Sequence, residues 1–101
     1  MEDIFQQLPP ENLLNHLGEF FRILGDPTRI KILQALAVRE LCVAEIAQLI
    51  GASQSAVSHQ LKTLRQTNLV KYHKAGKTVF YALSDDHVTQ ILSVGLVHIQ
   101  E

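Results

Sequence analysis

Apolar residues along this chain recur first at helical and then at strand spacing. In "PPENLLNHLGEFFRILG" they fall at positions 13, 14, 17, 20, 21 and 24, the three-and-four spacing that lines one side of a helix. Gly25 stops that pattern. "DPTRIKILQALA" follows, with Asp26 as N-cap, Pro27 at the first helical position, and an apolar face of Ile30, Ile32, Leu33, Leu36 and Ala37. "CVAEIAQLI" predicts a short helix closed by Gly51. "SQSAVSHQLKTLRQT" predicts another, capped by Ser53, with Ala56, Val57, Leu61 and Leu64 on its inner face. The period then changes. "NLVKYH" and "TVFYAL" are rich in β-branched and aromatic residues, and "KAGK" between them offers Gly76 for positive φ, which predicts a hairpin. A last helix starts near Ser84–Asp86. The expected fold is mainly α with a small β-hairpin (α+β), in the order α-α-α-α-β-β-α, as one domain over residues 1–101.

The two helices around Gly51 carry the first functional signal. An apolar helix, a tight "GAS" turn and a helix with a polar outer face make a helix-turn-helix, and a hairpin directly after it makes the motif winged. The outward positions of the second helix are Gln54, Ser55, Ser58, His59, Lys62 and Arg65. Ser, Gln and His can address base edges, whereas Lys and Arg hold phosphates. The hairpin adds Lys74 and Lys77 on either side of Gly76. The bland alternative is a solvated helix face, since this geometry also occurs in proteins that never touch DNA.

Charge distribution decides between them. The formal net charge is −1, which by itself counts against a nucleic-acid binder. Residues 46–84, however, contain no Asp or Glu, and they hold Lys62, Arg65, Lys71, Lys74 and Lys77 with His59 and His73. Ordinary surfaces mix signs. A 39-residue stretch without one acid, flanked by seven acids before it and three after it, favours DNA. Composition bounds the rest. With 101 residues, 47% of them hydrophobic and 19% charged, a folded domain is expected, with a thin stability margin that dimerisation would relieve. One cysteine, Cys42, excludes an internal disulfide and a Cys-pair metal site within one chain. No apolar run approaches a membrane span, and "MEDIFQQLPPENLL" lacks the basic start and apolar core of a secretion signal. A cytoplasmic location is the expectation.

The closing stretch "DDHVTQILSVGLVHIQE" places His87 and His98 eleven residues apart. On a helix that is about 1,100° of rotation, close to three turns, so both lie on one face about 16 Å apart. A zinc ion needs ligands at about 2.0–2.2 Å, so one helix cannot bring both histidines to one ion. Two antiparallel copies can, by setting His87 of one chain beside His98 of the other. Glu101 lies at i+3 from His98. Asp85 can join only where the backbone leaves helical angles at the helix start, with Asp86 or a water as the alternative fourth donor. Each end of such a dimer would hold Asp85, His87, His98 and Glu101, two nitrogens and two oxygens, a set that suits Zn²⁺ with Co²⁺ as substitute. Affinity should fall as the pH drops, because both imidazoles must be neutral to bind. Val88, Ile91, Leu92, Val94, Leu96 and Val97, with small Gly95, would supply the helix–helix surface. The bland alternative is that Asp85 and Asp86 simply favour a helix start and that the histidines are surface side chains.

"LGDPTRIKILQAL", "ELCVAEIAQLIGASQSAVSHQLKTLRQTNLV" and "GKTVFYAL" together resemble the ArsR/SmtB family of bacterial metal-responsive repressors, over residues 20–101. The final stretch resembles its zinc-sensing SmtB branch, whose closing helix carries D-x-H, ten residues, then H-x-x-E. The resemblance implies a winged-helix homodimer that binds an inverted-repeat operator when metal-free and leaves when zinc binds. One departure is informative. Many relatives carry a Cys-x-Cys pair in an "ELCVC" context, where this chain has Cys42 and Ala44. Soft-metal sensing there is therefore not expected, and Cys42 reads as a small apolar residue near the core. His16 and His73 read as surface residues.

Two rivals remain at this point. One is a winged-helix DNA-binding regulator that responds to a different metal or effector, or to none. The other is a winged-helix protein-interaction module. An enzyme is not expected: there is no carboxylate pair in a plausible pocket, no Ser/His/Asp set and no phosphate loop, and a four-ligand metal leaves no open position for substrate.

Overall fold

The computed structural model describes residues 1–101. Six helices and three short strands follow in the order α1 (Glu2–Gln7), α2 (Glu11–Leu24), α3 (Pro27–Val38), β1 (Leu41–Cys42), α4 (Val43–Ile50), α5 (Gln54–Gln66), β2 (Val70–Ala75), β3 (Thr78–Leu83) and α6 (His87–Gln100). The expected helices and hairpin are present. Two elements go beyond the expectation: α1, a single exposed turn and a half ahead of Pro9–Pro10, and β1, two residues that add a third strand beside β3. Both are too short to show a period.

Local chemistry accounts for the boundaries. Asp26 accepts the Arg29 amide at 2.9 Å and Pro27 opens α3. Ser53 accepts the Ala56 amide at 3.1 Å and so starts α5. Gly51 takes φ +67° to end α4, a conformation that costs other residues. α5 ends differently. Asn68, at φ +62°, sets up the paired bonds of a Schellman closure, Asn68 to the Arg65 carbonyl at 3.0 Å and Leu69 to the Leu64 carbonyl at 2.9 Å. β2 and β3 turn through Gly76–Lys77, with Gly76 at φ +65° and Ala75 facing Thr78.

Cys42 departs from its expected role. It is the N-cap of α4, where its thiol accepts the Glu45 amide while the Cys42 amide donates to Glu45 Oε1 at 3.0 Å. That backbone hydrogen bond, followed by Arg39, holds the Glu45 carboxyl below its ordinary value.

α3 is the hub. It packs against α2, α4, α6 and β3, and buries Ile32, Leu33 and Leu36. Ile30 is only half-buried and Ala37 is exposed, so its inner face is narrower than the sequence pattern suggested. On α5, Val57, Leu61 and Leu64 are inside, and Ala56 is exposed. All 14 buried residues are hydrophobic, so polar chemistry must lie on the surface. The molecule is elongated, 57 × 32 × 21 Å with a radius of gyration of 16.2 Å, where a compact chain of this size has about 13 Å. Residues 1–13 and 93–101 are exposed throughout. No helix is long and apolar enough to cross a membrane.

Candidate functional site

α5 presents one polar face. Val57, Leu61 and Leu64 anchor it to the core, and this turns Gln54, Ser55, Ser58, His59, Lys62 and Arg65 to solvent, all exposed. Ser55 Oγ lies 3.2 Å from Ser53 Oγ, at the start of the helix, where unpaired backbone N–H groups favour an anion. Further along, the Arg65 guanidinium stacks over the Tyr72 ring at 4.9 Å. Tyr72 in turn lies 5.9 Å from Tyr81. The wing therefore fixes Arg65, and Lys74 and Lys77 stand exposed at its tip. None of Lys62, Arg65, Lys71, Lys74 and Lys77 forms an ion pair. Their charges are free for phosphate.

One acid does reach this surface from outside the acid-free stretch. His73, expected as a surface residue, hydrogen-bonds through Nε2 to Glu40. The two are distant in sequence and meet because β1 and β2 flank β3, which a helical-register search cannot see. The hydrogen bond from the imidazole to Glu40, then the Glu40 charge, raises the His73 pKa above the ordinary 6.5. The imidazole also stacks on Phe80 at 6.0 Å.

The second cluster is at the two ends of α6. Asp85 precedes the helix and folds back on it: Oδ1 accepts the His87 amide at 2.9 Å and Oδ2 lies 3.3 Å from His87 Nδ1. Departure from helical angles at the helix start thus brings Asp85 and His87 together. Asp86 is the N-cap and accepts a hydrogen bond from Gln90 instead. His98 and Glu101 lie exposed at the other end and meet neither. Within one copy, no three His, Cys, Asp or Glu side chains gather in a way that could hold a metal ion.

Between the two ends, Val94, Leu96, Val97 and Ile99 are exposed at 46–78%. Beside them α2 exposes Leu13, Leu17 and Phe21. An apolar trough of about 320 Å³ runs between Phe21, Leu24, Ile30, Ile91, Leu92 and Leu96. Val88, expected on this outer face, is instead buried at 4% in the core, and Ile91 and Leu92 pack partly against it. The cause is docking: α6 packs against α3, and this turns Val88 into the core.

Arg29, Gln60 and Tyr72 were not singled out by the sequence pattern. Arg29 Nε donates to Gln60 Oε1 at 2.9 Å across 31 residues. Tyr72 carried one legible signal, an aromatic at an exposed strand position next to a basic helix end.

Residues 26–72 match the sequence profile described as bacterial regulatory protein, arsR family. The chain is 42% identical over 100 residues to a transcriptional repressor SmtB homolog of Synechocystis sp., covering 95% of this chain and 76% of the relative. It is 36% identical over 101 residues to a cadmium resistance transcriptional regulatory protein CadC homolog of Staphylococcus aureus, covering 99% and 79%. A homodimeric winged helix-turn-helix DNA-binding domain of Mycobacterium bovis superposes with a TM-score of 0.80 at 26% identity, covering 89% of this chain and 83% of the other.

Proposed function

This chain belongs to the ArsR family of bacterial regulatory proteins, and from that premise we propose that it is a zinc-responsive repressor whose metal site is shared between two copies. As a member of the family it is a winged helix-turn-helix transcriptional regulator, not an enzyme, and it binds operator DNA as a homodimer. The finer reading concerns which metal it senses and where. Its relatives' names include cadmium resistance as well as SmtB, so the donors of this chain must decide.

One observation carries the reading. A carboxylate and an imidazole sit together at one end of α6, an imidazole and a carboxylate sit at the other, and an unpartnered apolar face lies between. Asp85 and His87 of one chain, with the partner's His98 and Glu101, form an N₂O₂ set. Such a set suits zinc and, in substitution, cobalt. The one thiol, Cys42, is engaged as a helix cap and has no second cysteine beside it, which disfavours a soft-metal site. Zinc, when bound, supplies a cross-link of fixed length between the two closing helices.

The chain does the rest. The single domain, residues 1–101, uses 85–101 both to dimerise and to sense. α2 and α6 pair with their copies and set the distance between the two α5 helices, which must be about one DNA turn apart. Gln54, Ser55, Ser58 and His59 face bases; Lys62, Arg65, Lys74 and Lys77 hold phosphates. Metal and operator are then linked reciprocally: an arrangement that favours one disfavours the other by the same factor. Mobility shift on the DNA upstream of its own gene, with zinc and with chelator, tests this. Release by zinc is expected, and a complex indifferent to both would contradict the sensing role.

A further inference from the structure

We propose that Arg29 is a positioning residue that fixes the aim of the recognition helix α5 relative to the helical frame; the inference rests on the DNA-reading role of α5 given above. α5 meets the core through Val57, Leu61 and Leu64, all fully buried. Apolar contacts of this kind are non-directional. They hold α5 down without setting its rotation or slide to the tolerance that base recognition needs. Apart from the stacking of Arg65 on Tyr72, one side-chain tie runs from α5 to another element, and it is the 2.9 Å hydrogen bond from Arg29 Nε to Gln60 Oε1.

Arg29 is itself held at both ends. Its backbone amide donates to Asp26 Oδ2 at 2.9 Å, which fixes the first turn of α3. Its Nη1 lies 3.5 Å from the carbonyl of Ile23, one of the carbonyls left without a helical partner at the end of α2. A single half-buried arginine, fixed by its amide at the start of α3, therefore reaches with its guanidinium to the end of α2 and the middle of α5. These are a helix of the dimer layer, the hub helix of the core and the helix that reads DNA. The planar fork of Arg can serve both acceptors at once, whereas the point charge of Lys cannot. Arg29 lies outside the acid-free stretch, and its Nε and Nη1 donors are directed to acceptors within the protein.

The consequence is selectivity. Loss of the tie leaves the phosphate contacts of Lys62, Arg65, Lys74 and Lys77 in place and blurs the base contacts of Ser58 and His59. The test uses the full-length dimer and two duplexes: one selected by the wild-type protein from a random-sequence pool, and its scrambled counterpart. For Arg29→Lys the affinity ratio between the two is expected to fall about tenfold, the size of one good base contact. Its salt slope should stay unchanged and its thermal midpoint should stay close to wild type. Gln60→Met, which removes the acceptor at similar volume, should give the same loss, and the double variant no further loss. Two results would overturn the proposal: equal weakening on both duplexes with a shallower salt slope, or an unchanged ratio in both single variants. If the wild-type protein selects no preferred duplex, it is the DNA-reading role of α5 that fails.

Discussion

Between Leu41 and Val70 the chain buries Leu41, Ile46, Ala47, Val57, Leu61, Leu64, Leu69 and Val70 at 0–8% exposure, while α2 and α6 leave Leu13, Leu17, Phe21, Val94, Leu96, Val97 and Ile99 at 46–78%. The helix-turn-helix is finished inside one chain. The α2–α6 layer is not, and the side chains of the proposed metal set, Asp85, His87, His98 and Glu101, are split between the two ends of α6. A single copy can therefore present a DNA-reading helix at full precision, but it can neither cover its apolar layer nor gather a coordination set. On the proposed reading, sensing is coupled to DNA reading because a shared metal set requires the assembly that spaces the two α5 helices.

This contrast can be broken at several points. The largest effect should come from the finished half: Leu61→Ala, at a fully buried position, should cost about 2–5 kcal/mol of stability. Chemical denaturation should show this loss. Phe21→Glu should instead spare the fold and cost about 2 kcal/mol or more of association, the scale of an interface hot spot. Sedimentation should then find folded monomers, with operator binding lost in parallel. A Leu61→Ala protein that is fully stable but monomeric would invert the assignment of the two halves.

A smaller effect is expected at Lys62. Lys62→Ala should weaken binding to all sequences and reduce the salt slope by about one, measured by titration at several ionic strengths. The smallest concerns the wing. Glu40 raises the His73 pKa, so the pair's contribution is fully present below the unfolded value of 6.5 and is lost as pH rises through the higher folded value. NMR titration should find His73 above 6.5, and Glu40→Gln should bring it down.

Much of this architecture was legible in the sequence for identifiable reasons. Asp26, Ser53, Gly51 and Gly76 are local devices, and each does in the fold what its type and neighbours predict. The solvent-facing positions of α5 followed from helical period alone. Long-range relations were not legible. His73 meets Glu40 only because β1 joins β3, Arg29 finds Gln60 across 31 residues, and Val88 turns inward because of where α6 docks. Asn68 closes α5 at φ +62°, a left-handed conformation that Asn and Asp reach more cheaply than other side chains, and the apolar period gave no sign of it.

The central claim is that the metal set is completed by a second chain, and complementation between two crippled chains tests it directly. His87→Ala and His98→Ala homodimers each lack a donor at both ends. In a mixed dimer one end loses both histidines and the other recovers Asp85, His87, His98 and Glu101 intact. Titration of the unfolded and co-refolded mixture with cobalt or zinc should restore tight binding at one ion per heterodimer, where neither variant alone binds tightly. Tight binding by either variant alone, or none in the mixed dimer, would contradict a site shared between chains.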